Sequence, residues 1–201
     1  MKVDVLMYSP RHINVIVTEE QGVKIWRFTG FYGYSEIGKR EDSWKLLECL
    51  NYRSNLPWVC MGDFNEIMYP REKDRGGVRP DGQMRGFREA INRCHLRDMG
   101  YVGSDYTWSR RLGRCGWIRE RLDRALVSTD WVMVISSMKL FHVSNSTSDH
   151  SILMLKDARP PRRQRQRSKL FFFESMWLED GRCKNVVKQG KESKTGSWVG
   201  L

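Results

Sequence analysis

The chain has 201 residues, with 35 Lys and Arg against 24 Asp and Glu and a formal net charge of +11. That length suits one domain able to bury a core without disulfides or a structural metal, and 40% hydrophobic with 29% charged residues excludes wholesale disorder. No apolar run approaches the roughly 18 residues needed to cross a bilayer.

Cys49, Cys60, Cys94, Cys115 and Cys183 contain no CxxC pair and no signal peptide is legible, so a reduced, intracellular protein with no membrane partner is expected. Without a secretory signal, the glycosylation pattern at Asn145-Ser146-Thr147 is read as chance. Residues 159–169 carry six basic side chains and no acid, which leaves about +5 on the remainder. Such a balance suits a polyanionic partner through counterion release, and suits plain solubility equally well.

In chain order, β-prone runs at 2–8, 13–18 and 23–31 predict three strands, antiparallel neighbours by their short connections. Trp44, Leu47 and Leu50 are spaced at three over residues 40–52 and predict an amphipathic helix. Residues 57–61 form a short apolar run suited to a strand buried on both faces, ended by the turn formers Gly62-Asp63-Phe64-Asn65. A polar loop follows, and then Asp81 opens a helix expected to run through Phe87, Ile91 and Cys94 to about Leu96. Residues 106–108, 121–127, 139–143 and 150–155 are further strand-sized runs.

The predicted fold class is α/β (α+β), a layered sandwich of two packed, mostly antiparallel sheets flanked by helices. The domain is expected over 1–157, followed by a basic linker at 158–170 and a poorly structured extension at 171–201.

Phosphodiester hydrolysis needs an oxygen-rich site for a hard cation, a base for water and a group that offsets charge on phosphorus. Asp63 and Asn65, two residues apart after a buried strand, can face one pocket; read alone, the four residues are more often a structural turn. Asp149 beside His150 pairs a hard-metal ligand with a proton donor, or is simply a capping Asp before a surface His. Asp123 lies in a strand pattern where an acid needs a partner, and Arg119, Arg121 or Arg124 would serve as a salt bridge. Tyr32, between Phe31 and Gly33, can reach a phosphate oxygen or merely pack half-buried.

The order Tyr32, Gly62-Asp63-Phe64-Asn65, Thr107-Trp108, Arg121-Leu122-Asp123, Ser148-Asp149-His150 resembles the later motifs of the endonuclease/exonuclease/phosphatase superfamily over about residues 1–156. Phe31-Tyr32-Gly33, the Gly76-Gly77 loop, Phe87-Arg88-Glu89-Ala90 and Asp98-Met99-Gly100-Tyr101 resemble plant LINE-type retrotransposon endonucleases, and the basic linker with Phe173-Glu174-Ser175-Met176-Trp177-Leu178 resembles their passage toward reverse transcriptase.

The resemblance implies that Asp63 positions or activates water, Asn65 holds it and the phosphate, and Tyr32 contacts the phosphate. It gives His150 the transition state, Asp123 the orientation of His150, and Asp149 a metal, Mg²⁺ or Mn²⁺. DNA is the implied partner, with Arg162, Arg163, Arg165 and Arg167 as nucleic-acid contacts, a linked reverse transcriptase in the full product, and a nuclear location. An early Asn and a Glu metal ligand are implied on strands ahead of residue 1, so the sequence is expected to be N-terminally incomplete and its activity weakened. A small-substrate phosphatase of the same fold, and an inactive remnant that binds nucleic acid through its basic segment, remain open alternatives.

Overall fold

The computed structural model describes residues 2–18, 24–113, 116–135 and 137–158. The expectations for 159–201, including Arg162, Arg163, Arg165 and Arg167, lie outside the described residues.

Three strands open the fold, β1 (Lys2–Ser9), β2 (His12–Thr18) and β3 (Lys24–Tyr32), followed by α1 (Arg40–Asn51) and β4 (Trp58–Asp63). A two-residue β5 (Lys73–Asp74), α2 (Asp81–Arg93), β6 (Leu96–Asp98) and β7 (Val102–Gly103) come next. Then follow β8 (Trp108–Arg111), β9 (Trp117–Glu120), β10 (Asp123–Ser128), α3 (Thr129–Val134), β11 (Met138–Val143) and β12 (Ile152–Asp157).

A six-stranded sheet has the order β1-β2-β3-β4-β10-β6, antiparallel except where β3 runs beside β4. A second sheet has the order β12-β11-β7, and a small third one the order β5-β9-β8. The mixed α/β sandwich expected from the sequence is the fold observed.

Side-chain alternation explains the layering. From β4, Trp58 and Cys60 join Phe31 and Leu126 against Trp44, Leu47, Leu50, Phe87 and Ile91 of the two long helices. Val59 and Met61 face the other way, where Ala125, Val127, Trp131, Leu140, Leu153 and Leu155 pack between the first and second sheets. Each fully buried large side chain among these contributes about 1.5–3 kcal/mol relative to exposure. Trp44 and Phe87 stack at 4.5 Å between ring centroids and lock α1 to α2.

Three elements differ from the sequence expectation. The second helix stops at Arg93 instead of reaching residue 96, because His95 takes a positive φ of 52° and Leu96 leaves to pair with Ser128. Around residue 108 the expected strand is a pair, β8 with β9, whose Arg-rich sequence hides the alternation. The helix α3 is an addition to the expected elements; it is capped by the Ser128 side chain, which accepts from the Trp131 amide. Among the described residues no helix is long and apolar enough to cross a membrane.

Candidate active site

Strand register places the candidate residues in a row. Tyr32 at the end of β3 is opposite Asp63 at the end of β4, and Asp63 is opposite Asp123 at the start of β10. On β4, Asp63 shares its alternation with Val59 and Met61, so the row projects toward the second sheet, where β12 begins.

The crossing of β3 and β4 is close. A Cβ on Gly62, whose φ is +151°, would lie 2.0 Å from the Phe31 carbonyl oxygen, so only glycine lets the strand ends meet here. Beyond it the chain turns sharply. Asn65 adopts a φ of 55°, a conformation Asn tolerates better than most residues, and its amide N donates to Asp63 Oδ1 at 2.7 Å. Asn65 Nδ2 donates to Asp63 Oδ2 at 2.9 Å and to the Gly33 carbonyl at 3.1 Å, which ties the pair to the end of β3.

His150 comes from the opposite sheet. Its backbone forms a bridge with Trp108, Ser109 N donates to the Asp149 carbonyl, and Ser151 N donates to the Thr107 carbonyl at 2.7 Å. The ring Nδ1 lies 2.9 Å from Asp123 Oδ2. A carboxylate only accepts, so Nδ1 carries the proton and Nε2 is the nitrogen left for a substrate. The salt bridge to an arginine considered for Asp123 is therefore replaced by this pair, while Arg121 and Arg124 bond Glu72 and Asp98 instead.

Electrostatics follow from the packing. Burial, then the neighbouring Asp123, pushes the Asp63 carboxyl up to about 6. The hydrogen bond that His150 donates to Asp123 holds the imidazole above its ordinary value against the opposing effect of burial. A carboxyl and an imidazole, both with raised pKa values, thus stand side by side.

Asp63, Asp123 and His150 each offer a ligand atom, all within 4.8 Å of one another. Two neighbouring carboxylates, one of which resists ionisation through burial and then through the charge of the other, form a donor set that a hard divalent cation fits, because the cation offsets their repulsion. Asp149, the residue expected to bind metal, stands outside that group; its Oδ2 accepts from the Trp108 indole at 2.9 Å. Tyr32 is half-exposed beside Asp63, with the Arg11 guanidinium 5.1 Å from its ring centroid.

Two contributors carry no role in the sequence reading. Buried Thr107 accepts on Oγ1 from the Leu122 and Asp123 amides and so fixes the start of β10. Glu66, fully buried, accepts from the Ile67 amide and pairs with Arg40 and Arg79, fixing the turn after Asn65. Thr107 lies inside the Thr107-Trp108 motif; nothing in the local sequence marks Glu66 as buried.

A cavity of about 550 Å³ adjoins Asn65 and His150 and is lined by Arg40, Lys73, Arg79, Arg110, Arg111 and Glu120, with Trp108, Ile118 and Leu122 among its apolar walls. Glu66 and Glu120 pair with Arg40, Lys73 and Arg79. Arg110 and Arg111 are exposed and have no ion pair among the described residues.

No family model and no curated protein matches the chain. Solved structures do. The endonuclease domain of TRAS1, a telomere-specific non-LTR retrotransposon, superposes on 80% of this chain and 70% of its own with a TM-score of 0.55 at 16% identity. Beta toxin from Staphylococcus aureus covers 73% of this chain and 57% of its own with a TM-score of 0.50 at 14% identity. An endonuclease/exonuclease/phosphatase family protein from Leptotrichia buccalis covers 77% and 60%, with a TM-score of 0.46 at 16% identity. The chain has the α/β-sandwich fold of the endonuclease/exonuclease/phosphatase proteins.

Proposed function

We propose that the chain is a metal-dependent phosphodiester hydrolase that nicks DNA, as a retrotransposon endonuclease does. The observation that carries this reading is the pairing of Asp63–Asn65 with Asp123–His150 at strand ends on one face of the sheet. The neighbouring cavity with exposed Arg110 and Arg111 supports a polyanionic substrate over a small monoester.

Water held between Asp63 and Asn65 attacks phosphorus, and Asp63 takes its proton as the new O–P bond forms. The bond from phosphorus to the leaving sugar oxygen breaks opposite it, and that oxygen takes the bonding pair and a proton from solvent to leave as a hydroxyl. His150, protonated and oriented by Asp123, donates from Nε2 to a non-bridging oxygen as charge builds. Tyr32 would contact the phosphate from the β3 side. Mg²⁺ or Mn²⁺ would be held by the carboxylates of this cluster, which Asp149 does not join here, and would supply Lewis-acid polarisation of the phosphate. Such a donor set is small for a hard cation, so binding is weak and turnover slow.

Nicking of supercoiled plasmid by the purified chain, with Mg²⁺ or with EDTA, tests the reading. Metal-dependent nicking that Asp63→Ala abolishes is expected. Hydrolysis of p-nitrophenyl phosphate without nicking would point to a small substrate, and neither activity would leave an inactive relative.

A further inference from the structure

The far end of β3 and β4, five residues or about 17 Å along the strands from the Tyr32–Asp63 pair, holds an unrelated feature. A cavity of about 410 Å³ is lined there by Arg27, Tyr52, Asn55, Trp58, Thr129 and Asp130 among others.

Arg27 is completely buried, with its guanidinium 4.0 Å from the Trp58 ring centroid. Its Nη1 donates to the Leu50 carbonyl in the last turn of α1. Nε and Nη2 have no hydrogen-bond partner, and no carboxylate pairs with this residue among the described residues. Burial lowers its pKa to about 10. A buried cation without a counter-ion is costly, and the Trp58 face with one carbonyl is partial compensation.

Which nitrogens are free matters. With Nη1 engaged, Nε and Nη2 form one edge of the guanidinium fork, the edge whose two parallel N–H groups match the two oxygens of a carboxylate or phosphate. The surrounding wall supplies further hydrogen-bonding groups in Asn51, Ser54, Asn55 and Thr129. Its acid, Asp130, is exposed to solvent and makes no ion pair with Arg27.

We propose that this cavity is a second ligand site, separate from the hydrolytic one, which takes a single oxyanion group on the Nε–Nη2 edge of Arg27. Because the residue is covered, the ligand enters by displacing the exposed rim around Asn55. The site is independent of the hydrolase reading and stands or falls without it.

The test follows the Arg27 Nε–H signal in nitrogen–proton correlation spectra of the 201-residue chain, assigned by through-bond experiments and confirmed by its loss in Arg27→Lys. Sodium phosphate and sodium acetate are titrated separately at constant ionic strength. A saturable shift of that signal is expected, weakened about tenfold or more by Asn55→Trp, which fills the cavity from its exposed rim without touching the core. A response to phosphate alone identifies a phosphate group, and a response to acetate identifies a carboxylate. No saturable shift with either anion overturns the proposal. So does a signal that moves on Asp130→Asn before any anion is added, since the chain's own carboxylate would then close the fork.

Discussion

Asp63 is held in place at a cost. Below its ordinary pKa of 3.8 the carboxyl is protonated in folded and unfolded chains alike and the cost is absent. As pH rises from there to about 6, the unfolded chain ionises while the folded site resists, so stability falls, and above that pH the full penalty applies. Asp63→Asn is therefore expected to raise Tm at pH 7, by up to about 3 kcal/mol of stability, and to gain nothing in acid. Thermal melts across that range check it; an equal gain at every pH would mean that neither burial nor the neighbouring Asp123 penalises the ionised carboxylate. The same substitution should cut nicking by about 10²–10⁴-fold. For activity, the rate should rise as Asp63 ionises near pH 6 and fall as His150 loses its proton above its ordinary value. Asp123→Asn removes the first cause of the raised His150 pKa, so the alkaline limb of the pH–rate profile should move to lower pH. An unmoved limb would separate His150 from that limb.

The strand ends set how exact the site can be. Gly62→Ala puts a methyl group against the Phe31 carbonyl and should cost about 3 kcal/mol or more, read as a lower denaturant midpoint, because β3 and β4 must separate. Arg124, fully buried, donates to Glu72 and Asp98 together, and Arg124→Met leaves both acids with Arg121 alone, so it should cost less than the roughly 3–5 kcal/mol of a buried charge left unpaired. If Arg124→Met melts like the parent, the pair is replaceable. What was legible in the sequence divides along the same line. Tyr32, Asp63, Asn65, Asp123 and His150 could be picked out only by their order and its resemblance to a known family, since each alone reads as a turn, a cap, a salt bridge or packing, whereas the helix from Trp44 to Leu50 shows its own period. The β8–β9 pair, the Glu66 network and the Trp108–Asp149 bond were not legible. The pair alternates charged side chains, and the other two join residues distant in sequence, so local pattern carries no trace of them.

The charge of the whole molecule is concentrated. Six basic residues in 159–169 supply over half of the net +11, while the described domain pairs many of its own arginines internally. Deleting residues 159–169 should weaken DNA binding and flatten the dependence of log K on log salt by roughly 0.9 for each phosphate that is no longer neutralised, yet leave the nicking rate at saturating DNA close to the parent. Filter binding at several salt concentrations decides this; an unchanged slope would assign DNA recognition to the domain alone, with Arg110 and Arg111 as the first candidates.

His150 stands immediately before the final described strand, whereas Tyr32, Asp63 and Asp123 are placed by strands made earlier. During synthesis the carboxylate row can assemble while the ring is still inside the ribosome, and the pair with Asp123 closes only once β12 follows it out to dock on β11. A growing chain therefore lacks the complete candidate site until its domain is nearly finished. A copy stopped between residues 124 and 149 would keep both acids but never the imidazole, so under the proposed function hydrolysis waits for the last strands of the domain.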